Sequence, residues 1–180
     1  MSPKVVLVTG MQAAGKSTTA PLLAARMGPP AATLDGDVFY RGVVAGAEIM
    51  TPEPSAEAIR QLELRYDASA LVAQHYADAG FDFVCSDIVL GEYVERWFAR
   101  LHDVEPYLVV LVPSVESVVE REIGRGGNNA YRDWGPSLED GVRALQASLD
   151  EIPRRGLWLD TTGQTPEETV DAIDLEKARW

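Results

Sequence analysis

Short apolar runs alternate along this chain with longer stretches in which apolar residues recur at helical spacing. The runs cover residues 5–8, 32–34, 81–85, 107–112 and 157–159. The first is β-branched and short, as a buried strand of a parallel sheet is. Strands that alternate with helices are typical of a parallel sheet covered by helices. We therefore predict an α/β fold with about five parallel strands.

The stretches between these runs carry helix signals. Residues 18–27 and 55–79 both repeat apolar side chains at helical spacing, and the second stretch predicts one helix packed on the sheet. Its apolar stripe consists of Ile59, Leu62, Tyr66, Ala70 and Ala73. Capping patterns predict further helix starts after Ser114, Ser137 and Thr165.

The segment from Gly10 to Ser17, between the first strand and the first helix, fits the pattern GxxxxGK[ST]. Glycines would let backbone N–H groups surround a phosphate at the helix N-terminus, Lys16 would bridge the β- and γ-phosphates, and the Ser17 hydroxyl would reach Mg²⁺. The nucleotide contacts predicted here are Gly10, Ala13, Ala14, Gly15, Lys16, Ser17 and Thr18. A chance match in a glycine-containing turn is the alternative, and the flanking strand and helix argue against it.

Two carboxylates, Asp35 and Asp37, follow the second strand and flank Gly36. The carboxyl ends of parallel strands line the crevice in which such folds bind ligands. If Gly36 makes a turn, one carboxylate can approach a metal while the other orients or deprotonates an acceptor hydroxyl. We predict Asp37 as the base and Asp35 as a metal ligand, with Asp35 as the alternative base. An Asp-Gly turn held by local hydrogen bonds is the other interpretation.

A third acid, Asp87, ends the third apolar run. Many phosphate-loop proteins place an acid there to orient Mg²⁺ through a bound water, and we predict that role for Asp87. A helix cap or a turn residue is the alternative. Contact with the acceptor instead of the metal also stays open.

Arg121 and Arg125 are four residues apart and therefore share a helix face. The loop that follows contains Gly126, Gly127, Asn128 and Asn129. We predict a lid over about residues 121–135 that closes on the nucleotide and brings both guanidinium groups to the transferred phosphoryl. A solvated helix end, with Arg121 paired to neighbouring glutamates, is the alternative.

Composition limits the classes of binding partner that this protein is expected to have. The chain has 180 residues, 46% hydrophobic content and a net charge of −12. We expect a single domain over residues 1–180, a small-molecule partner and no nucleic acid, because phosphate backbones require clustered Lys and Arg. No apolar run approaches bilayer length, so we expect a cytoplasmic protein without membrane contact. The single cysteine, Cys85, lies in an apolar run and is expected to be a packing residue.

Taken together, these segments resemble the small phosphate-loop kinases, and most closely the chloramphenicol phosphotransferase-like group. Shikimate, gluconate and zeta-toxin kinases are wider relatives. Beyond the loop, the resemblance rests on the segments 36–38, 86–97 and 159–162. It implies the P-loop NTPase fold, a three-layer sandwich of about five parallel strands flanked by helices. It also implies Asp37 as the base, Arg121 and Arg125 as phosphate contacts, and Thr161 and Thr162 beside the adenine.

The resemblance implies ATP and Mg²⁺, and transfer of the γ-phosphoryl to a small-molecule hydroxyl acceptor bound by about residues 37–66. We predict an antibiotic-type acceptor, as in self-resistance. Metabolic nucleoside or sugar kinases, toxin-type nucleotide-sugar kinases and a non-catalytic ATP-binding switch are the alternatives. Ser86 departs from the pattern, since close relatives carry an acid there, and residues 41–65 match no acceptor motif. The prediction of ATP rather than GTP as the nucleotide rests on the resemblance alone. The sequence makes no prediction of oligomeric state.

Overall fold

The alternation of strands and helices is present in the computed structural model of the chain, which describes residues 2–126 and 131–180. The strands are β1 (Lys4–Gly10), β2 (Ala31–Asp35), β3 (Asp82–Ser86), β4 (Glu105–Leu111) and β5 (Leu157–Leu159). The helices are α1 (Lys16–Met27), α2 (Asp37–Gly42), α3 (Ala56–Asp78), α4 (Tyr93–Phe98), α5 (Val115–Gly124), α6 (Leu138–Ala147) and α7 (Pro166–Ala172), with a 3₁₀ turn at Ser148–Glu151.

The five strands form one parallel sheet in the order β2-β3-β1-β4-β5, which confirms the predicted α/β fold. The central strand β1 is buried on both faces, and its valines and leucine have no exposed surface. Val8 of β1 and Asp35 of β2 both align with Ser86 of β3. The carboxyl ends of these three strands therefore lie side by side, which brings the loop at residues 10–17 next to the acids that follow β2 and β3.

Helices cover both faces of the sheet. Apolar side chains of α3, α4, α5 and α6 pack with one face of β1, represented by Val5 and Leu7. Side chains of α1 and α7 pack with the other face, represented by Val6 and Val8. This alternation along β1 is what a strand with two buried faces produces, and it yields the predicted three layers.

The predicted helix starts are confirmed in the structure. The side chains of Ser114, Ser137 and Thr165 each accept a hydrogen bond from a backbone N–H of the first turn. A complete capping box forms at Thr165, where Glu168 bonds back to the Thr165 N–H. The 23-residue helix α3 confirms the long helix predicted from its apolar stripe.

Helix α2 is absent from the sequence prediction. Its 6 residues are too few to display a helical repeat. It begins at Asp37, directly after the predicted Gly36 turn, and it carries the segment from the sheet toward α3. Cys85 is fully buried in β3, as expected for a packing residue. Within residues 2–126 and 131–180, none of the helices is long and apolar enough to span a membrane.

Candidate active site

The loop over residues 10–17 owes its shape to three residues with positive φ: Gly10 at 143°, Ala13 at 61° and Gly15 at 100°. A Cβ on Gly10 would lie 2.5 Å from the carbonyl oxygen of Leu111, so the approach of β4 admits only glycine there. Gly15 is the N-cap of α1 and offers no side chain to cap the first turn. The loop thus presents a helix N-terminus with backbone N–H groups available to an anion.

Lys16 folds back into this loop. Its Nζ donates a hydrogen bond of 2.8 Å to the carbonyl oxygen of Met11, and only 9% of the residue is exposed. Burial lowers the pKa of Lys16 to about 8, against the opposing effect of the carboxylates that follow β2 and β3. Those carboxylates are Asp87, Asp37 and Asp35, in decreasing order of effect. The structure therefore places four predicted site residues at one edge of the sheet, where the charges of the three acids act to raise the pKa of Lys16.

The turn after β2 places its two acids, Asp35 and Asp37, in different environments. Asp35 is half-buried, and its Oδ1 accepts a hydrogen bond of 3.0 Å from the backbone N–H of Asp37. This is the local bond of the alternative Asp-Gly turn interpretation, and it starts helix α2. Asp37 is exposed at the first position of that helix. Its carboxylate is therefore the more accessible of the two, and its role as the base stays a prediction.

Asp87 is almost entirely buried, with 1% of its side chain exposed. Its Oδ1 accepts a hydrogen bond of 2.7 Å from the Ile88 N–H and lies 3.0 Å from Nη2 of Arg65. Its Oδ2 has no hydrogen-bond partner among the residues that the structure describes. Burial raises the pKa of Asp87, and the charge of Arg65 opposes that shift.

Gly36 is required by this buried acid. A Cβ on Gly36 would lie 2.0 Å from Oδ2 of Asp87, although the backbone of Gly36 has an ordinary right-handed conformation. The Gly36 N–H also donates a hydrogen bond of 2.8 Å to the carbonyl oxygen of Ser86. The turn that carries Asp37 is thus packed directly against the end of β3.

Arg65 of α3 is a site residue that the sequence analysis missed. Only 13% of its side chain is exposed, and its guanidinium carbon lies 5.9 Å from the centre of the Tyr40 ring and 5.3 Å from that of the Tyr66 ring. Burial disfavours its charge and is the largest single effect, but Asp87, Tyr66 and Asp37 together outweigh it, so the pKa of Arg65 lies above its usual value. One sequence signal could have found it. Arg65 follows Leu62 by three residues and therefore lies at the edge of the apolar stripe that packs on the sheet.

Arg121 makes contacts that differ from a solvated helix end. Its Nη1 donates to the loop carbonyls of Ala13 and Ala14, at 3.2 and 3.4 Å, and its Nη2 donates to the Thr161 carbonyl at 3.2 Å. Arg121 therefore ties α5 to the loop and to the end of β5. In this structure it contacts the backbone, and its predicted phosphate contact stays a prediction.

Arg125 caps the end of α5 with 54% of its side chain exposed, and its Nη1 lies 4.0 Å from Oε1 of the buried Glu122. The predicted lid includes Gly127, Asn128 and Asn129, which lie outside the described residues. Where the description resumes, the Tyr131 hydroxyl donates a hydrogen bond of 2.6 Å to the carbonyl oxygen of Gln12. Tyr131, which lies within the predicted lid, is thus packed against the candidate phosphate loop.

Thr161 and Thr162 lie at the end of β5, beside Arg121. The Thr162 hydroxyl accepts a hydrogen bond of 2.8 Å from the Ser114 N–H, which joins this segment to the start of α5. Thr161 is buried, and its Oγ1 has no partner within the described ranges 2–126 and 131–180. The predicted adenine contacts are therefore near the loop, and their role stays a prediction.

The oxygens near the loop suit Mg²⁺, which takes hydroxyl, carboxylate, phosphate and water oxygens. Ser17 is exposed, Asp35 is half-buried, and Asp87 has an unpartnered Oδ2. Among the residues that the structure describes, no cluster of three or more His, Cys, Asp or Glu could hold a metal by itself. A metal held together with nucleotide phosphates and water fits this donor set, whereas an all-protein metal cage does not.

A central strand, a phosphate-type loop and the strand order 2-3-1-4-5 define the P-loop kinase class of α/β proteins. A family model for chloramphenicol phosphotransferase-like proteins matches residues 3–177. The chain therefore belongs to the chloramphenicol phosphotransferase-like family of kinase-like P-loop phosphotransferases. No curated protein matches the chain.

Solved structures share this fold at low sequence identity. A sugar kinase from Janibacter sp. HTCC2649, in an unliganded structure, is 17% identical with a TM-score of 0.66, over 94% of this chain and 91% of that one. The Mycobacterium tuberculosis APS kinase CysC, in complex with AMPPNP and APS, is 20% identical with a TM-score of 0.65, over 98% and 99%. A gluconokinase from Sinorhizobium meliloti 1021 is 18% identical with a TM-score of 0.58, over 94% and 89%.

Proposed function

We propose that this protein transfers the γ-phosphoryl group of ATP to a hydroxyl of an antibiotic-type small molecule. The observation that carries the proposal is the exposed carboxylate of Asp37, which follows β2 at the same edge of the sheet as the phosphate loop. The charge of Asp37 also acts to raise the pKa of Lys16. A loop alone serves pumps, switches and kinases alike. A transfer site also needs a group that orients or deprotonates the acceptor hydroxyl. Asp37, near Lys16 of the loop, supplies that group.

The reaction divides between the two sides of the site. Lys16 and the start of α1 hold the β- and γ-phosphates, and Mg²⁺ near Ser17, Asp35 and Asp87 would neutralise phosphate charge. Asp37 accepts the acceptor hydroxyl proton as the acceptor oxygen bonds to the γ-phosphorus. The bond from that phosphorus to the β,γ-bridging oxygen breaks, and ADP leaves with the electron pair. Arg121 and Arg125 stabilise the charge on the transferred group.

Exposed apolar side chains in the segment that follows Asp37 favour an acceptor with an apolar body. Val38 and Tyr40 of α2 are 42% and 41% exposed, and Val44 and Ile49 in the connection to α3 are 93% and 56% exposed. Exposed apolar side chains gathered in one segment mark a candidate binding surface for an apolar ligand. Family membership points to the same class of acceptor.

The test incubates the protein with γ-labelled ATP, Mg²⁺ and one acceptor at a time: chloramphenicol, a nucleoside, gluconate and a nucleotide sugar. We expect ATP-dependent label in an apolar antibiotic-type acceptor, with the mass of one phosphoryl group added. Label confined to gluconate or to the nucleotide sugar would replace the antibiotic acceptor by a metabolic or toxin-type one. ATP binding without label in any hydroxyl compound of a broad panel would contradict phosphoryl transfer and favour a binding switch.

A further inference from the structure

The ion pair between Arg65 and Asp87 differs from the others in the described part of the chain. Its side chains are 13% and 1% exposed, whereas every other described ion pair has at least one side chain exposed by 47% or more. Burying two charges is unfavourable, and apolar side chains of similar volume commonly stabilise a fold as well or better. Stability therefore gives no reason to place a charged pair here.

The pair also leaves hydrogen-bonding capacity unused. Within residues 2–126 and 131–180, neither Nε of Arg65 nor Oδ2 of Asp87 has a partner, although both atoms are buried. Most buried polar atoms in proteins have a partner, so a pair of orphans in one ion pair calls for an explanation. A carboxylate with one oxygen bonded and the other buried without a protein partner is suited to accept a strong hydrogen bond from a ligand.

The surroundings fix the orientation of the Asp87 carboxylate. Oδ1 is held by Nη2 of Arg65 at 3.0 Å and by the Ile88 N–H at 2.7 Å. The guanidinium of Arg65 is in turn held against the rings of Tyr40 and Tyr66. With Oδ1 engaged, Oδ2 is directed at the Gly36 turn, where a Cβ would lie 2.0 Å away.

We propose that Arg65 is a positioning residue for the nucleotide-bound metal. By holding Oδ1 of Asp87, it keeps Oδ2 available to the water shell of Mg²⁺, and it connects helix α3 of the acceptor side to the phosphate side. Outer partners of this kind orient a metal-binding carboxylate, and their loss lowers metal affinity by about 10- to 100-fold. The proposal rests on the proposed function in one respect, which is that Asp87 serves the metal of a bound nucleotide.

The experiment measures the affinity for ADP by calorimetry, with Mg²⁺ and with EDTA, so no acceptor is needed. The ratio of the two affinities is the magnesium increment. Arg65→Met should reduce this increment by about tenfold and leave the affinity for metal-free ADP within about twofold. Arg65→Lys, which retains the charge, should recover part of the increment. A purely structural role would lower both affinities together.

Arg100→Met is the matched control. Arg100 follows α4 and forms an ion pair of 2.6 Å with Asp67, which lies on α3 like Arg65, but 47% of the Arg100 side chain is exposed. This variant removes an exposed Arg–Asp pair at α3 and leaves the buried pair of Arg65 and Asp87 intact. Its magnesium increment should therefore equal that of the unsubstituted protein.

If Arg65→Met does not fold, Asp87→Asn and the double variant Arg65→Met/Asp87→Asn decide, since Asp87→Asn removes the charge that Arg65→Met leaves unpaired. Equal magnesium increments in these two variants support action through Asp87. A further loss in the double variant overturns it.

An undiminished increment in folded Arg65→Met, or an unsubstituted protein that binds ADP equally with and without Mg²⁺, also overturns the proposal. Failure of phosphoryl transfer itself would appear separately, as absence of labelled product in the acceptor panel while the ADP measurements stand.

Discussion

The candidate phosphate side of the site, residues 10–18, and the proposed acceptor side, residues 37–66, differ in how many contacts hold their exposed surfaces in place. Lys16, Arg121 and Tyr131 all donate hydrogen bonds to backbone carbonyls of the phosphate side. On the acceptor side, Val44 is 93% exposed and Ile49 is 56% exposed. Side-chain hydrogen bonds thus hold the candidate phosphate side, whereas the proposed acceptor side exposes apolar side chains.

On the proposed function, this difference is one way in which a single fold can serve unlike acceptors. The phosphate side depends on backbone conformation and on positive φ angles, which a short motif specifies. The acceptor side depends on side chains of α2 and α3 and on their connection, where substitutions alter the ligand without disturbing the sheet. The buried pair of Arg65 and Asp87 joins the two sides.

The largest effect is expected at the boundary between the two sides. Asp37→Asn removes the proton acceptor but keeps the size of the side chain, so transfer should fall by about 10³-fold. ATP affinity by calorimetry should stay within about twofold, because the phosphate side is unchanged. Asp150→Asn is the control, since Asp150 is 73% exposed and paired with Arg154. Transfer near the normal rate in Asp37→Asn would remove Asp37 from the reaction.

Lys16→Ala tests the phosphate side alone. Loss of a buried cation next to the phosphates should lower transfer by about 10²-fold and weaken ATP binding as well. Calorimetry and labelled-ATP turnover measure the two effects. Lys177→Ala, at a lysine whose side chain is 74% exposed, should change neither. Unaltered ATP affinity in Lys16→Ala would count against nucleotide binding by this loop.

Gly36→Ala tests whether the two sides are packed against each other. The added Cβ would strike Asp87, so the free energy of unfolding should fall by about 1–3 kcal/mol, as for other overpacked sites. Gly42→Ala, at the other end of α2, is the control, because a Cβ there meets nothing within 4 Å. Urea denaturation of both variants gives the comparison. Equal stability would show that Gly36 and Asp87 separate freely.

The smallest effect is expected at the most open position of the acceptor side. Val44→Ser should change the free energy of unfolding by less than about 0.5 kcal/mol, because Val44 is almost fully exposed. The same variant should raise KM for an apolar acceptor while leaving KM for ATP unchanged. A large loss of stability would mean that the acceptor side is built as firmly as the phosphate side.

The sequence predicts those parts of the molecule that depend on neighbouring residues. The five strands, the long helix α3, the caps at Ser114 and Thr165 and the loop at residues 10–17 all follow from local periodicity or from motifs a few residues long. The edge of the sheet that carries Asp37 also follows, because strands of a parallel sheet end together.

The unpredicted features depend on contacts between distant parts of the chain. Arg65 meets Asp87 from 22 positions away, and Arg121 reaches the Ala13 carbonyl across 108 positions. The charge of Arg65 argued against burial, since arginine is buried mainly when a partner compensates it, and no local pattern shows that partner. The contact of Gly36 with Asp87 is likewise visible only in three dimensions.

We infer that the phosphate side and the acceptor side meet at the γ-phosphate of a bound ATP. A crystal structure with a non-hydrolysable ATP analogue and Mg²⁺ tests it directly. We predict the γ-phosphate within about 3 Å of Nζ of Lys16, and the Asp37 carboxylate within about 3 Å of the point from which an acceptor hydroxyl would attack. A triphosphate bound away from residues 10–17, or an Asp37 carboxylate separated from that point by the width of several side chains, would contradict the account.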